Sequence, residues 1–167
     1  MIDLIIRPSI EADIGAIHEI YEHEVLTGTA TFDEVPPSKE DLLEKRSGIL
    51  AQGFPHLVAE IEGKVIAYSY VMLYRQRSAY SKTVENAIYV SPDNRISGVG
   101  TKLLAANIAE CEKLDIKNII AVIGDSENMG SIKLHKKFGF RKIGTLRNVG
   151  NKFGCWVDVV LMQKVLG

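Results

Sequence analysis

The sequence predicts an α/β (α+β) fold, a mixed and mostly antiparallel twisted sheet with helices on both faces. Three observations carry that expectation. Apolar periodicity gives the element order β α α β β β α β α β β. Two strands in the first half meet at Glu62-Gly63, a tight hairpin signal. A later strand, Asn118 to Ile123, hardly alternates between apolar and polar residues and so fits burial on both faces.

Leu4 to Arg7 reads as a short first strand stopped by Pro8. From Glu11 to about Val25, residues Ile14, Ile17, Tyr21 and Val25 recur at helical spacing. Inside this helix His18-Glu19 and His23 approach the zinc pattern H-E-x-x-H but miss by one residue. Residues five apart on a helix point about 140° apart, so a solvated face is expected there, not a metal site. Leu26 to Pro37 holds Gly, Thr and two prolines and reads as a loop. Its only aromatic, Phe32, is either a packing anchor or one wall of a substrate cleft. Ser38 to Asp41 resembles a capping box that opens a helix to about Leu50.

His56 to Ile61 and Lys64 to Tyr74 form the hairpin strands. Polar Arg75 to Ser78 interrupts, and Lys82 to Val90 resumes as a strand. The helix from Val99 to Leu114 sets Leu103, Leu104, Ile108 and Cys111 on one side. After the buried strand and a loop over Gly124 to Glu127, Asn128 caps a short helix to Phe138, ended by Gly139. Phe140 to Arg147 and Cys155 to Gln163 close the chain as strands, with Gly150 to Gly154 between them.

The chain has 167 residues, which suits a single domain over 1–167 with a sizeable core. A net charge of −1 without a long basic run argues against nucleic acid or an anionic membrane as a main partner. The start, MIDLIIRPS, lacks a basic n-region and a long apolar stretch, and no apolar run approaches about 20 residues. Neither signal peptide nor membrane span is expected, and the location expected is cytoplasmic. Cys111 and Cys155 make no C-x-x-C, so two buried free thiols are expected.

The chemistry centres on Val84 to Leu104. Arg95-Ile96-Ser97-Gly98-Val99-Gly100 follows a strand and opens a helix. Glycines there let the backbone approach a ligand, and the free N–H groups and positive dipole of the helix end favour an anion such as phosphate or pyrophosphate. A Walker loop spacing does not occur, and the third glycine position of a dinucleotide fingerprint is Leu103. The pattern [QR]-x-x-G-x-[GA] fits Arg95, Gly98 and Gly100 without a gap.

That pattern resembles the acyl-CoA pyrophosphate loop of the GNAT superfamily of N-acetyltransferases. A second signature follows after the buried strand: Asn128, Ser131, then Leu134-His135 through Phe138-Gly139-Phe140. In that superfamily a tyrosine stands where this chain has His135. A histidine there is similar to the phosphinothricin and methionine-sulfoximine N-acetyltransferases. The resemblance extends through Arg7-Pro8 with Asp13, Thr31-Phe32, Phe54-Pro55, Leu57 to Glu60, Arg77 to Tyr80, Thr83 to Glu85, Ile88 to Pro92, Val122 to Gly124 and Gly154 to Asp158.

The resemblance implies a GNAT fold and direct transfer of acetyl from acetyl-CoA to a small primary amine in a ternary complex, with no metal. Arg95, Ile96, Ser97, Gly98, Val99, Gly100 and Thr101 would cradle the pyrophosphate, and Asn128 and Ser131 would contact the CoA arm. Ile88, Tyr89 and Val90 would splay from the neighbouring strand, hold the pantetheine and point an N–H at the thioester carbonyl. Glu85 would be the base for the amine, its pKa raised by burial. His135 would protonate the leaving thiolate or relay the amine proton; the other reading is a packed histidine in place of an aromatic ring. Arg77, and Arg75 beside it, would hold the acceptor's anionic group, with Tyr80 and Phe32 lining the same cleft. Trp156 reads equally as a core aromatic or as a contact to the cleft or a dimer partner. A homodimer is implied as well. The expected acceptor is an amino-acid-like amine such as phosphinothricin, methionine sulfoximine or methionine sulfone. A different amine, or a non-catalytic acyl-CoA sensor, keeps the same fold.

Overall fold

The computed structural model describes residues 3–94 and 96–167. The strands are β1 (Leu4–Pro8), β2 (His56–Ile61), β3 (Lys64–Leu73), β4 (Thr83–Val90), β5 (Asn118–Gly124), β6 (Arg141–Lys152) and β7 (Cys155–Val165). The helices are α1 (Ile14–Thr27), α2 (Lys39–Ala51), α3 (Val99–Lys113) and α4 (Met129–Lys137). The strands form one sheet in the order β1-β2-β3-β4-β5-β7-β6. Every pairing is antiparallel except β4 with β5. The element order and sheet type are those the sequence implies.

Local chemistry explains most boundaries. The two-residue turns Glu62-Gly63 and Phe153-Gly154 have both residues at positive φ, the geometry that matches strand twist. Ser38 Oγ accepts from Asp41 N while Asp41 Oδ2 accepts from Ser38 N, so the expected capping box starts α2. Asn128 Oδ1 accepts from Ser131 N at the start of α4. Arg7 donates to Asp13 and Glu60 at 2.7–2.9 Å and ties β1 to β2 and to the entry of α1.

The sheet is packed on both faces. Tyr21 of α1 meets Tyr89 edge-on at 5.1 Å, and Tyr89 reaches Tyr68. On the other face Val99 and Leu103 of α3 pack with Leu57, Ala59 and Ala67.

Four expectations are corrected. Residues 11–13 are a single 3-10 turn, and α1 proper runs on to Thr27. Strand β6 continues to Lys152, because pairing with β7 resumes at Gly150 after a register shift. Cys155 is exposed, since it stands at the hairpin tip; only Cys111 is buried. The His18–His23 face is not simply solvated: His18 Nε2 bonds the Pro37 carbonyl at 3.1 Å, and His23 borders the cleft described next. Among the described residues, no helix is long and apolar enough to cross a membrane.

Candidate active site

The sheet opens between the ends of β4 and β5. Their pairing runs from Thr83↔Asn118 to Asn86↔Ala121 and stops, although β4 continues to Val90 and β5 to Gly124. Strand β4 stays bonded to β3 as far as Val90. The backbone groups on its other edge, beyond Asn86, therefore have no strand partner. A cleft of about 600 Å³ fills the gap, with Ile88, Tyr89 and Val90 on one wall and Val122 to Gly124 on the other. Val122 is accordingly exposed, where the sequence suggests burial on both faces.

One end of the cleft meets the start of α3. Gly98 precedes α3 with φ +93°, a conformation that a side chain would strain. Its carbonyl accepts from Lys102 N, and Val99 N donates to the Ile96 carbonyl at 3.4 Å, while the Gly100 and Thr101 N–H groups have no acceptor further back in the helix. No carboxylate stands in the first turn of α3 to offset its positive end. Ile96, Val99 and Gly100 reach the cleft wall; Ser97, Gly98 and Thr101 belong to the same turn but lie off it. A Cβ on Gly100 would sit 3.2 Å from Leu134, so α3 starts tight against α4. Asn128 and Ser131 of α4 line the same region. Arg95 lies outside the described residues.

Glu85 stands on the cleft wall with Tyr70, Met72, Thr31 and Phe32. Burial raises its carboxyl above the usual glutamate range, against the opposing charges of Arg75 and Lys45. Lys45 donates to Tyr70 Oη at 2.9 Å. Thr31 is fixed by Tyr21, whose hydroxyl lies 2.8 Å from Thr31 Oγ1 and also donates to Asp33.

His135 lines the cleft but is enclosed. Its Nδ1 lies 2.7 Å from the Ser131 carbonyl, which can only accept, so Nδ1 carries the proton. Nε2 then accepts from Asn86 Nδ2 at 3.1 Å. Burial lowers its pKa, though the Ser131 bond opposes this. As placed, its one proton points into its own helix. The ring also meets Phe140 edge-on at 4.9 Å, so His135 is packed as well as facing the cleft.

The two arginines are elsewhere. Arg75, Arg77 and Tyr80 line a separate shallow depression with Gln76. The Arg75 guanidinium stacks 4.1 Å from the Tyr74 ring and donates to the Tyr74 carbonyl. Trp156 is exposed on β7 and belongs to neither the core nor the cleft. Sequence reasoning misses His23, Tyr70 and Asn86. Asn86 does carry a signal: it is a polar residue beside Glu85 in an apolar strand. Among the described residues, no three His, Cys, Asp or Glu side chains converge as metal ligands.

Comparison with known proteins agrees with this geometry. Residues 6–161 match the family model of the acetyltransferase (GNAT) domain. The chain is 47% identical over 154 residues to a phosphinothricin N-acetyltransferase of Alcaligenes faecalis, covering 92% of this chain and 78% of that one. It is 35% identical over 158 residues to an L-methionine sulfoximine/L-methionine sulfone acetyltransferase of Salmonella typhimurium, covering 95% and 92%. Among solved structures it superposes on a GNAT superfamily phosphinothricin acetyltransferase from Sinorhizobium meliloti in complex with AcCoA. The TM-score is 0.95 at 39% identity, covering 98% of this chain and 89% of that one.

Proposed function

This chain belongs to the GNAT acetyltransferase family, and from that premise we propose that it acetylates the primary amine of a small amino-acid-like acceptor with acetyl-CoA. Phosphinothricin, methionine sulfoximine and methionine sulfone are the acceptors we favour, because similar enzymes carry those names. The observation that carries the reading is the splay of β4 from β5. It joins the start of α3 to the half-buried Glu85 carboxylate through one continuous cleft.

The residues present fit acetyl-CoA. The open N–H groups of α3 would take the pyrophosphate, with Asn128 and Ser131 beside the arm. The unpaired edge of β4 offers main-chain donors and acceptors to the pantetheine amides, the way a strand greets a neighbour. When bound, acetyl-CoA supplies the acetyl group as an activated thioester. The chain supplies the rest. Glu85, with its raised pKa, accepts the proton of the acceptor ammonium and frees the amine. A β4 backbone N–H polarises the carbonyl under attack. Asn86, held by His135, fixes the floor between them. Arg75 and Arg77 would meet an anionic acceptor group at the rim, and Arg75 already acts on Glu85 through its charge.

We also read the protein as a single-domain cytoplasmic homodimer. Phe153 and Trp156, 57% and 66% exposed at the β6–β7 hairpin, are the aromatic side chains that a second copy would cover.

The test is free-thiol release from acetyl-CoA with a panel of phosphinothricin, methionine sulfoximine, methionine sulfone, ordinary amino acids, polyamines and a short peptide. Selective turnover of the amino-acid analogues is expected. Turnover of peptide or polyamine alone would overturn the acceptor class. Tight acetyl-CoA binding with no turnover would instead favour an acyl-CoA sensor. Light scattering on a size-exclusion column checks the dimer.

A further inference from the structure

The segment between α1 and α2 brings Thr31 and Phe32 to the cleft without regular structure of its own. It is held by a lysine far along the chain. Lys152, the last residue of β6, is 1% exposed, and its Nζ donates to the Gly28 carbonyl at 2.7 Å and the Thr31 carbonyl at 2.8 Å. Among the described residues, no carboxylate lies within ion-pairing distance of it. An enclosed ammonium is costly unless its donors are used. Here both acceptors are main-chain carbonyls of one short loop.

Other contacts converge on the same loop. Ala30 N donates to Glu24 Oε1 at 3.1 Å, and Thr29 Oγ1 donates to Asp125 Oδ2 at 3.0 Å. Two residues before Lys152, Gly150 lies directly against the Phe32 ring; a Cβ there would come within 2.8 Å of it. The end of β6 therefore grips the loop twice, by the lysine on its carbonyls and by the glycine under its aromatic.

We propose that Lys152 is the positioning residue of the acceptor wall: by tying Gly28 and Thr31 it seats Phe32 on Gly150 and sets the width of the cleft that holds Glu85. The inference rests on reading that end of the cleft as the acceptor site. Lysine suits the task because one Nζ serves two carbonyls three residues apart, which an apolar side chain of similar length cannot do.

The experiment is Lys152→Met with Lys152→Arg as the conservative control. Amide exchange by mass spectrometry over residues 28–32 should quicken about tenfold in Lys152→Met, with α3 and β3 unchanged. The acceptor KM should rise about tenfold while the acetyl-CoA KM stays within about twofold, and Lys152→Arg should recover most of both effects. Unchanged loop exchange in Lys152→Met would overturn the proposal. So would equal rises in both KM values, the mark of a general loss of structure. If Lys152→Met does not fold, Gly150→Ala keeps the lysine and pushes on Phe32. It should raise the acceptor KM at least about fivefold, and an unchanged value would overturn the seat. Should the wild type turn over no amine, the acceptor reading fails, while the exchange measurement still decides the role of Lys152.

Discussion

Gly124→Ala should damage acceptor handling far more than acetyl-CoA binding. Gly124 ends β5 at the mouth of the splay. A Cβ there would stand 2.3 Å from the Thr29 carbonyl oxygen and 3.2 Å from Ala30 Cα, both backbone atoms. Ordinary contact begins at 3.4 Å, so the carbonyl must retreat by 3.4 − 2.3, or 1.1 Å. The loop cannot retreat freely, because Glu24, Asp125 and Lys152 hold it on three sides. Overpacking of this kind costs about 1–3 kcal/mol. In a chain of this size that lowers Tm by roughly 2–4 °C per kcal/mol, or about 2–12 °C, in a thermal melt. Thr31 and Phe32 move with the loop, and a misplacement of about 1 Å near the reacting groups costs up to about 100-fold in rate. Steady-state assays should therefore show kcat/KM for the acceptor down by about 10- to 100-fold. Acetyl-CoA affinity by calorimetry should stay within about twofold, because the anion end of the cleft is untouched. A variant with wild-type melting and wild-type kcat/KM would refute the reasoning, and so would a loss confined to acetyl-CoA affinity.

Other outcomes follow from the same contacts. Glu85→Gln should lower acceptor kcat/KM by about 100-fold or more, with acetyl-CoA binding retained, as expected for loss of a general base. The acid limb of the wild-type rate profile reports Glu85, so removing the cation in Arg75→Ala should move that limb to higher pH; an unmoved limb would separate the two residues. Burial, with Arg46 and Lys45 adding, depresses His56 to about 4, while Ser9 Oγ holds its ring at 2.8 Å. The folded state thus resists a proton that the unfolded chain accepts below its ordinary value of 6.5. The stability is full above that value and lost as pH falls, by about 2 kcal/mol between pH 7 and 5; urea midpoints should show it, and His56→Gln should flatten it. Ser38→Ala removes one half of the capping box and should cost about 1 kcal/mol in urea unfolding while leaving acceptor kinetics alone.

Features that depend on neighbours along the chain are legible in the sequence itself. The Glu62-Gly63 hairpin, the Ser38–Asp41 box and the Gly98–Gly100 helix start each lie within a few residues, so spacing alone reports them. Glu85 can be picked out as a carboxylate in an apolar strand. What the spacing hides is decided by the sheet order. Because β7 lies between β5 and β6, the end of β6 swings back over the loop after α1. Phe32 then finds its seat on Gly150, some hundred residues away in the chain, and Lys152 becomes one of the most enclosed side chains. In sequence, Gly150 to Gly154 reads only as the stretch between the two closing strands. In the fold, the pairing of Lys152 with Cys155 fixes that lysine's direction, and two loop carbonyls satisfy it. The arginines show the reverse case. The resemblance sets Arg77, with Arg75, on the acceptor's anionic group, but the turn after β3 carries them into a separate depression. There Arg75 lies on Tyr74 and touches Glu85 only through its field. A field of that kind needs no contact, so the shift of the acid limb in Arg75→Ala distinguishes an arginine that tunes the base from one that only waits for the acceptor.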